Sequence, residues 1–228
     1  MPPRSDPTPS AGASQESAAD RAYTYVKRQI VTAGYPGGTL ISEGEVAAAV
    51  AVSRTPVREA FLRLEAEGLL RLYPKRGALV VPVSASEIRD VLDARLMIER
   101  HAARTAIAAG DHHGLAARLR AVLAEQDDPA APRDAARFTE IDQRFHVALV
   151  DAAGNQLLSA FYASLRDRQL RMGTAALLHD PHRYDGILAE HTAIADVIDG
   201  GDTEAVASTL AAHLAATRAT LSGTLSGN

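Results

Sequence analysis

The sequence predicts a mostly α chain in two parts: three helices and a β-hairpin over 21–83, then an antiparallel six-helix bundle over 84–228. Three observations predict it. Apolar residues recur at helical spacing through most of the chain. The period switches to a β-type pattern only over 69–82. Charge divides at the same place: residues 21–83 carry 9 Lys/Arg against 5 Asp/Glu, whereas 84–228 carry 14 against 20. A basic third joined to an acidic remainder implies two domains with different partners.

Residues 1–20 are rich in Pro, Ser, Ala and Gly without periodicity and are expected to be a disordered arm. Tyr23, Val26, Ile30 and Val31 set a helix over 22–33, which Gly34 ends. Ser42 with Glu45 three residues on forms a capping box that opens a short helix to 50. A turn at 51–53 leads to a helix from Thr55, with Pro56 in its first turn and Gly68 as its stop. LLRLY and ALVVPV then read as two strands around Pro74-Lys75-Arg76-Gly77. Ser84 and Glu87 form a second capping box, opening a helix to about 109. Five more helices are expected over 113–126, 133–152, 156–178, 184–199 and 203–222, with Asn155 and Asp202 as N-caps. Six helices in this length suit an antiparallel bundle.

Composition narrows the function classes. Apolar residues at 46% exclude a wholly disordered chain. The absence of cysteine excludes disulfide frameworks, thiolate metal sites and cysteine nucleophiles. No apolar run is long enough to span a bilayer, which needs about 18 residues or more. The first residues lack the apolar core of a secretory signal, so a cytoplasmic protein is expected.

Helix, helix, turn, helix and hairpin is the winged helix-turn-helix order, and the residues suit double-stranded DNA. A helix fits the major groove, and an Arg can donate two parallel bonds to a guanine edge. Arg54 and Arg58 are four apart on the third helix, so both guanidinia share one face. Ser53 and Thr55 offer hydroxyls beside the free N–H groups of that helix start, where a phosphate binds well. Lys75, Arg76 and Gly77 put two cations and a small residue at the hairpin tip, where a wing could reach DNA. The bland alternative for either arginine alone is a solvated basic face.

The block SRTPVREAFLRLEAEGLLRLYPKRGALV closely resembles the core of the GntR superfamily of bacterial transcription regulators. Pro36-Gly37-Gly38-Thr39-Leu40 and Ser42-Glu43 through Ala47 are similar to the same family's second-helix region. The resemblance implies that Arg54 and Arg58 read bases, Thr55 holds phosphate, and Arg76 and Gly77 make wing contacts. This chain departs at Gly44, where many members carry a DNA-contacting Arg, so one contact is expected to be missing.

In the second part, three of the 8 histidines fall on apolar helical stripes: His146, His191 and His213. One inward histidine is ordinarily a hydrogen-bonded core residue, but three on separate helices of one bundle point to a shared ligand. Asp142 stands four residues before His146, so both tips share one face. A carboxylate in an apolar stripe is costly unless it is paired or metal-bound. Asp142, His146, His191 and His213 supply one oxygen and three nitrogens, a set suited to a divalent ion: Zn²⁺ first, Ni²⁺ or Mn²⁺ as alternatives.

DQRFHVALVDAAGN, Glu190-His191, and Gly201-Asp202 through His213 are similar to the C-terminal effector (FCD) domain of the family's FadR-type branch, and the six expected helices resemble its VanR-like subgroup. A large group within that branch binds metal through one Asp and three His in this order. Arg95 and Glu99 are spaced as an intrahelical ion pair. The resemblance gives Arg95 a second role, reaching the cavity to hold a small organic acid effector. The expected protein is a ligand-responsive regulator, ordinarily a repressor, binding a palindromic operator as a homodimer. Two other readings stay open: a metal-dependent hydrolase, in which an open coordination position activates water, and a DNA-binding protein with a purely structural metal.

Overall fold

A computed structural model describes residues 16–128 and 133–226. The expected arm lies outside the described residues as far as 15. Its remainder differs from expectation, because α1 (Ala18–Val31) starts at Ala18. Ser17 makes that start, accepting from the backbone N–H of Asp20 at 3.0 Å. The chain forms two compact units: Leu40–Leu79 with the chain up to Lys27, and Arg28–Thr39 with Val80 onward.

In the first unit, α2 (Glu43–Ala49) carries the expected capping box with both bonds made, Glu45 N–H to Ser42 Oγ at 3.1 Å and Ser42 N–H to Glu45 Oε2 at 2.9 Å. Helix α3 (Arg54–Ala66) packs against α2 and against β2 (Leu70–Tyr73), burying Val57, Ala60, Phe61 and Leu64. That buried stripe leaves Arg54, Thr55 and Arg58 on the exposed face.

Strand β3 (Gly77–Val80) neighbours β2 and also pairs antiparallel with a two-residue strand, β1 (Leu40–Ile41). The register sets Leu40 opposite Leu79 and Ile41 opposite Ala78, in sheet order β1-β3-β2. The sequence does not predict β1, since two residues are too few to show alternation. Gly77 is required at the turn. Its φ is +101°, and a Cβ there would lie 2.3 Å from the Ile41 carbonyl oxygen.

The second unit holds α4 (Ala85–Ala108), α5 (His112–Gln126), α6 (Ala135–Asp151), α7 (Gln156–Ser164), α8 (Arg166–His179), α9 (Arg183–Asp199) and α10 (Thr203–Ser226). Helix α4 packs on α10, α5 on both α6 and α9, and α6 on α8. Leu115, Leu119, Phe145, Leu149, Ile194 and Ile198 form the centre of one core cluster. Asn155 and Asp202 cap α7 and α10 as predicted, each accepting from two backbone N–H groups.

The helix count differs from the six expected. The stretch read as one helix over 156–178 breaks at Leu165, whose N–H bonds the Tyr162 carbonyl three residues back. The resemblance to the VanR-like subgroup therefore holds only if α7 and α8 are counted as one kinked helix. The second capping box is also half made. Ser84 Oγ accepts from Glu87 N–H at 3.1 Å, but the Glu87 carboxylate is bound instead by Arg171 of α8, at 2.8 and 2.9 Å. Arg171 Nη1 also donates to the Val81 carbonyl at 3.0 Å, fastening the segment ahead of α4 to α8. Among the described residues, no helix is long and apolar enough to cross a membrane.

Candidate functional site

On the first unit, Ser53 sits at the N-cap of α3 with extended backbone, and its hydroxyl makes no capping bond. The first N–H groups of α3 are thus left for another acceptor. Arg54, Thr55, Arg58, Lys75 and Arg76 are all exposed, and a broad groove runs across Gly44, Arg54, Arg58 and the Lys75–Gly77 turn. The room left by Gly44 is used: Arg54 Nη2 comes within 3.4 Å of where a Cβ at 44 would stand. Gly77 has a backbone task at this turn beyond the wing contact expected of it.

The second unit brings the three histidines together. His146 of α6, His191 of α9 and His213 of α10 are buried, with ring centroids 4.9–5.2 Å apart. Their candidate ligand atoms all lie within 4.8 Å of one another. Each Nδ1 has its own acceptor. His146 Nδ1 meets Glu99 Oε2 at 2.9 Å, His191 Nδ1 meets Gln126 Oε1 at 3.3 Å, and His213 Nδ1 meets Glu190 Oε2 at 2.7 Å. An Nδ1–H engaged in this way fixes the tautomer that leaves a lone pair on Nε2. The Nε2 atoms of His146 and His191 are buried without a hydrogen-bond partner. An orphaned polar atom in a core costs about 1–3 kcal/mol, so two at one point call for an electrophile between them. Asp142 faces the same point, its carboxylate oxygens 3.4 Å from His191 Nε2 and 3.9 Å from His146 Nε2. This donor set fits a divalent cation.

Electrostatics favour that fit. Burial pushes His191 well below the usual imidazole range, and a proton on the neighbouring His213 or His146 would push it further down. Burial lowers His213 too, against the opposing hydrogen bond to Glu190. Neutral imidazoles are what a metal requires. Glu99 is the hub behind His146. Burial alone would raise its carboxyl, but Arg95, then His146 and Tyr162, hold it below the ordinary carboxylate range. It accepts from Arg95 Nε at 2.8 Å and from Tyr162 Oη at 2.7 Å.

Arg95 is 6% exposed and only partly used by this pairing, since its Nη2 is buried without a partner. It lines a cavity that Asp142 and His213, two of the four candidate metal ligands, also line.

Residues 18–80 match the bacterial regulatory proteins of the gntR family, and residues 90–216 match the FCD domain. The chain belongs to the GntR family. It is a DNA-binding transcription regulator with an FCD effector domain. This regulator is 31% identical over 193 residues to the HTH-type transcriptional repressor RspR of Escherichia coli K12, covering 84% of this chain and 83% of RspR. Its fold is similar to that of a GntR regulator from Rhodococcus sp. RHA1, at TM-score 0.65 and 24% identity, covering 90% of this chain and 97% of that one. Its second part is similar to the Zn²⁺-bound FCD domain of TM0439, at TM-score 0.50 and 26% identity, covering 63% of this chain and 96% of that one. The hydrolase reading finds no support among these relatives.

Sequence reasoning found the four converging residues of the GntR-family regulator but missed what stands behind them. Gln126 gave no signal, being a polar residue at a helix end. Glu190 is adjacent to His191 in sequence, and adjacent residues on a helix diverge, so spacing gives it no partner at the site. Its carboxylate instead reaches His213 across to α10. Glu99 read as an ion-pair partner of Arg95, which it is, but its bonds to His146 and Tyr162 span 47 and 63 residues of sequence.

Proposed function

We propose that this regulator is a ligand-responsive repressor whose bundle holds a divalent metal and a small organic acid effector. The single observation that carries the sensing half is the pair of buried, unpartnered Nε2 atoms facing Asp142 beside a cavity lined by Arg95. Asp142, His146, His191 and His213 would hold the cation, Zn²⁺ being favoured by the nitrogen-rich set and by the zinc seen in the TM0439 domain. When bound, it would supply positive charge and Lewis acidity toward a carboxylate oxygen. Arg95 would hold the remaining carboxylate oxygen through its free Nη2, with Glu99 fixing its fork by the bond to Nε. Tyr162 in turn donates to Glu99 at 2.7 Å and holds the carboxylate that orients that guanidinium.

In the DNA-binding domain, taken as 21–83, Arg54 and Arg58 would enter the major groove, with Ser53 and Thr55 on phosphate and Lys75–Gly77 at the wing. A homodimer would match the twofold symmetry of a palindromic operator in the cytoplasm, joined through the effector domain over 84–228. The acid acts on DNA binding only through unequal affinity for the two arrangements of the dimer. A purely structural metal is the second reading, favoured by the depth of the histidines.

Elemental analysis of purified protein, followed by operator mobility shifts with and without short organic acids, tests the proposal. A stoichiometric metal and acid-dependent release support it. Metal-free protein overturns the sensing half, and bound metal with no acid-dependent release leaves the structural-metal reading.

A further inference from the structure

Six buried side-chain nitrogens in the described residues lack a partner, and four of them belong either to the histidine cluster or to the lining of the cavity that Asp142 and His213 share with Arg95. Two are the imidazole Nε2 atoms, and a third is Arg95 Nη2. The fourth is Nε2 of Gln169 on α8, which is 7% exposed and lines the same cavity as Arg95 and Asp142. Gln169 has no part in the metal shell, nor in the Arg95–Glu99–Tyr162 network. Nothing in the folding of α8 accounts for a primary amide placed there with its nitrogen unpaired. A buried donor left open in a cavity wall reads as a contact reserved for a ligand.

The charges around the cavity restrict what that ligand is. Arg183 also lines it, yet both its terminal nitrogens are committed to Glu190, at 2.7 Å each. Arg95 is thus the guanidinium with a free nitrogen, and the group waiting at Gln169 is neutral. A second carboxylate at Gln169 would be buried without a counter-charge, at severe desolvation cost. An unsubstituted chain there would leave the amide orphaned. A hydroxyl meets the requirement, because it accepts from the amide and can also donate.

We propose that Gln169 is a specificity-determining residue that selects hydroxy monocarboxylates over unsubstituted acids and over dicarboxylates. This rests on the effector reading above, with the carboxylate at Arg95.

The test is calorimetric titration of full-length, Zn²⁺-loaded protein with matched short-chain sets: an unsubstituted acid, its hydroxy acids, and the dicarboxylate of equal length. The hydroxy acid is expected to bind at least about tenfold more tightly than either companion. Gln169→Met, nearly isosteric and apolar, should bring the hydroxy acid down to the level of the unsubstituted acid. Should that variant fail to fold, Gln169→Asn withdraws the amide and should have the same effect. Equal binding of the unsubstituted acid or the dicarboxylate, or a preference that survives loss of the amide, overturns the assignment while leaving the carboxylate reading in place. No binding by any set, or unaltered binding in Arg95→Met, overturns the carboxylate reading itself and this inference with it.

Discussion

Replacing Glu99 by Gln tests the reasoning at its most connected point. The side chain keeps its volume, so no cavity opens, but the buried charge goes and one acceptor becomes a donor. Glu99 accepts from Arg95 and Tyr162 on Oε1 and from His146 on Oε2. An amide nitrogen on the Arg95 side would confront two donors. On the His146 side it would confront one, and that one can yield: His146 moves its proton from Nδ1 to Nε2 and accepts from the amide. The lone pair facing Asp142 and His191 is then replaced by an N–H. Two effects follow. Arg95 is left as a buried charge without its counter-ion, which costs about 3–5 kcal/mol when one partner of such a pair is removed. Metal affinity falls by about 10–100-fold or more, the usual effect of losing an outer-shell acceptor. Urea unfolding of metal-free protein measures the first, and Zn²⁺ titration against a chromophoric chelator measures the second. A variant within about 1 kcal/mol of the parent, binding zinc within about threefold, would refute the hub role assigned to this carboxylate.

Other outcomes are expected. His191→Ala combined with His213→Ala should remove the metal, as read by elemental analysis; full occupancy would contradict the ligand assignment. Arg58→Ala should abolish specific operator binding, while circular dichroism and oligomeric state stay as in the parent; an unchanged mobility-shift titration would sink the reading of α3. Gly77→Ala must take φ +101° and bring a methyl 2.3 Å from the Ile41 carbonyl oxygen, and should destabilise the first unit by at least about 2 kcal/mol in thermal unfolding. Arg171→Met should free the Val81 carbonyl and the Glu87 carboxylate and destabilise the second unit by about 1–3 kcal/mol in urea unfolding, with zinc binding retained; an unchanged unfolding midpoint would remove Arg171 as the fastening of the segment ahead of α4.

What was legible in the sequence was whatever is local. The Ser42–Glu45 box, the Asn155 and Asp202 caps, the breaks at Gly34 and Gly68 and the hairpin around Lys75 depend on residues a few positions apart, where spacing is geometry. Asp142 and His146 were legible for the same reason. His191 and His213 were found because each interrupts an apolar stripe. The acceptors behind the histidines were not legible, because each comes from a helix distant in sequence, and helical period says nothing about which faces meet. Glu87 shows the limit from the other side: its spacing to Ser84 was right for a box, but the cation of Arg171 outcompetes a neutral backbone N–H for its carboxylate. The kink at Leu165 escaped because no Gly or Pro marks it.

The three imidazoles are 0–3% exposed, whereas the Asp142 side chain retains 20%. A cation seated among them has one wall of its enclosure that solvent already touches. Its entry and escape should pass that carboxylate, at a rate set by how often the helices breathe rather than by the strength of the bonds alone. Release of a cation from this site would then be slow wherever the helices around Asp142 open rarely, whatever the affinity at equilibrium.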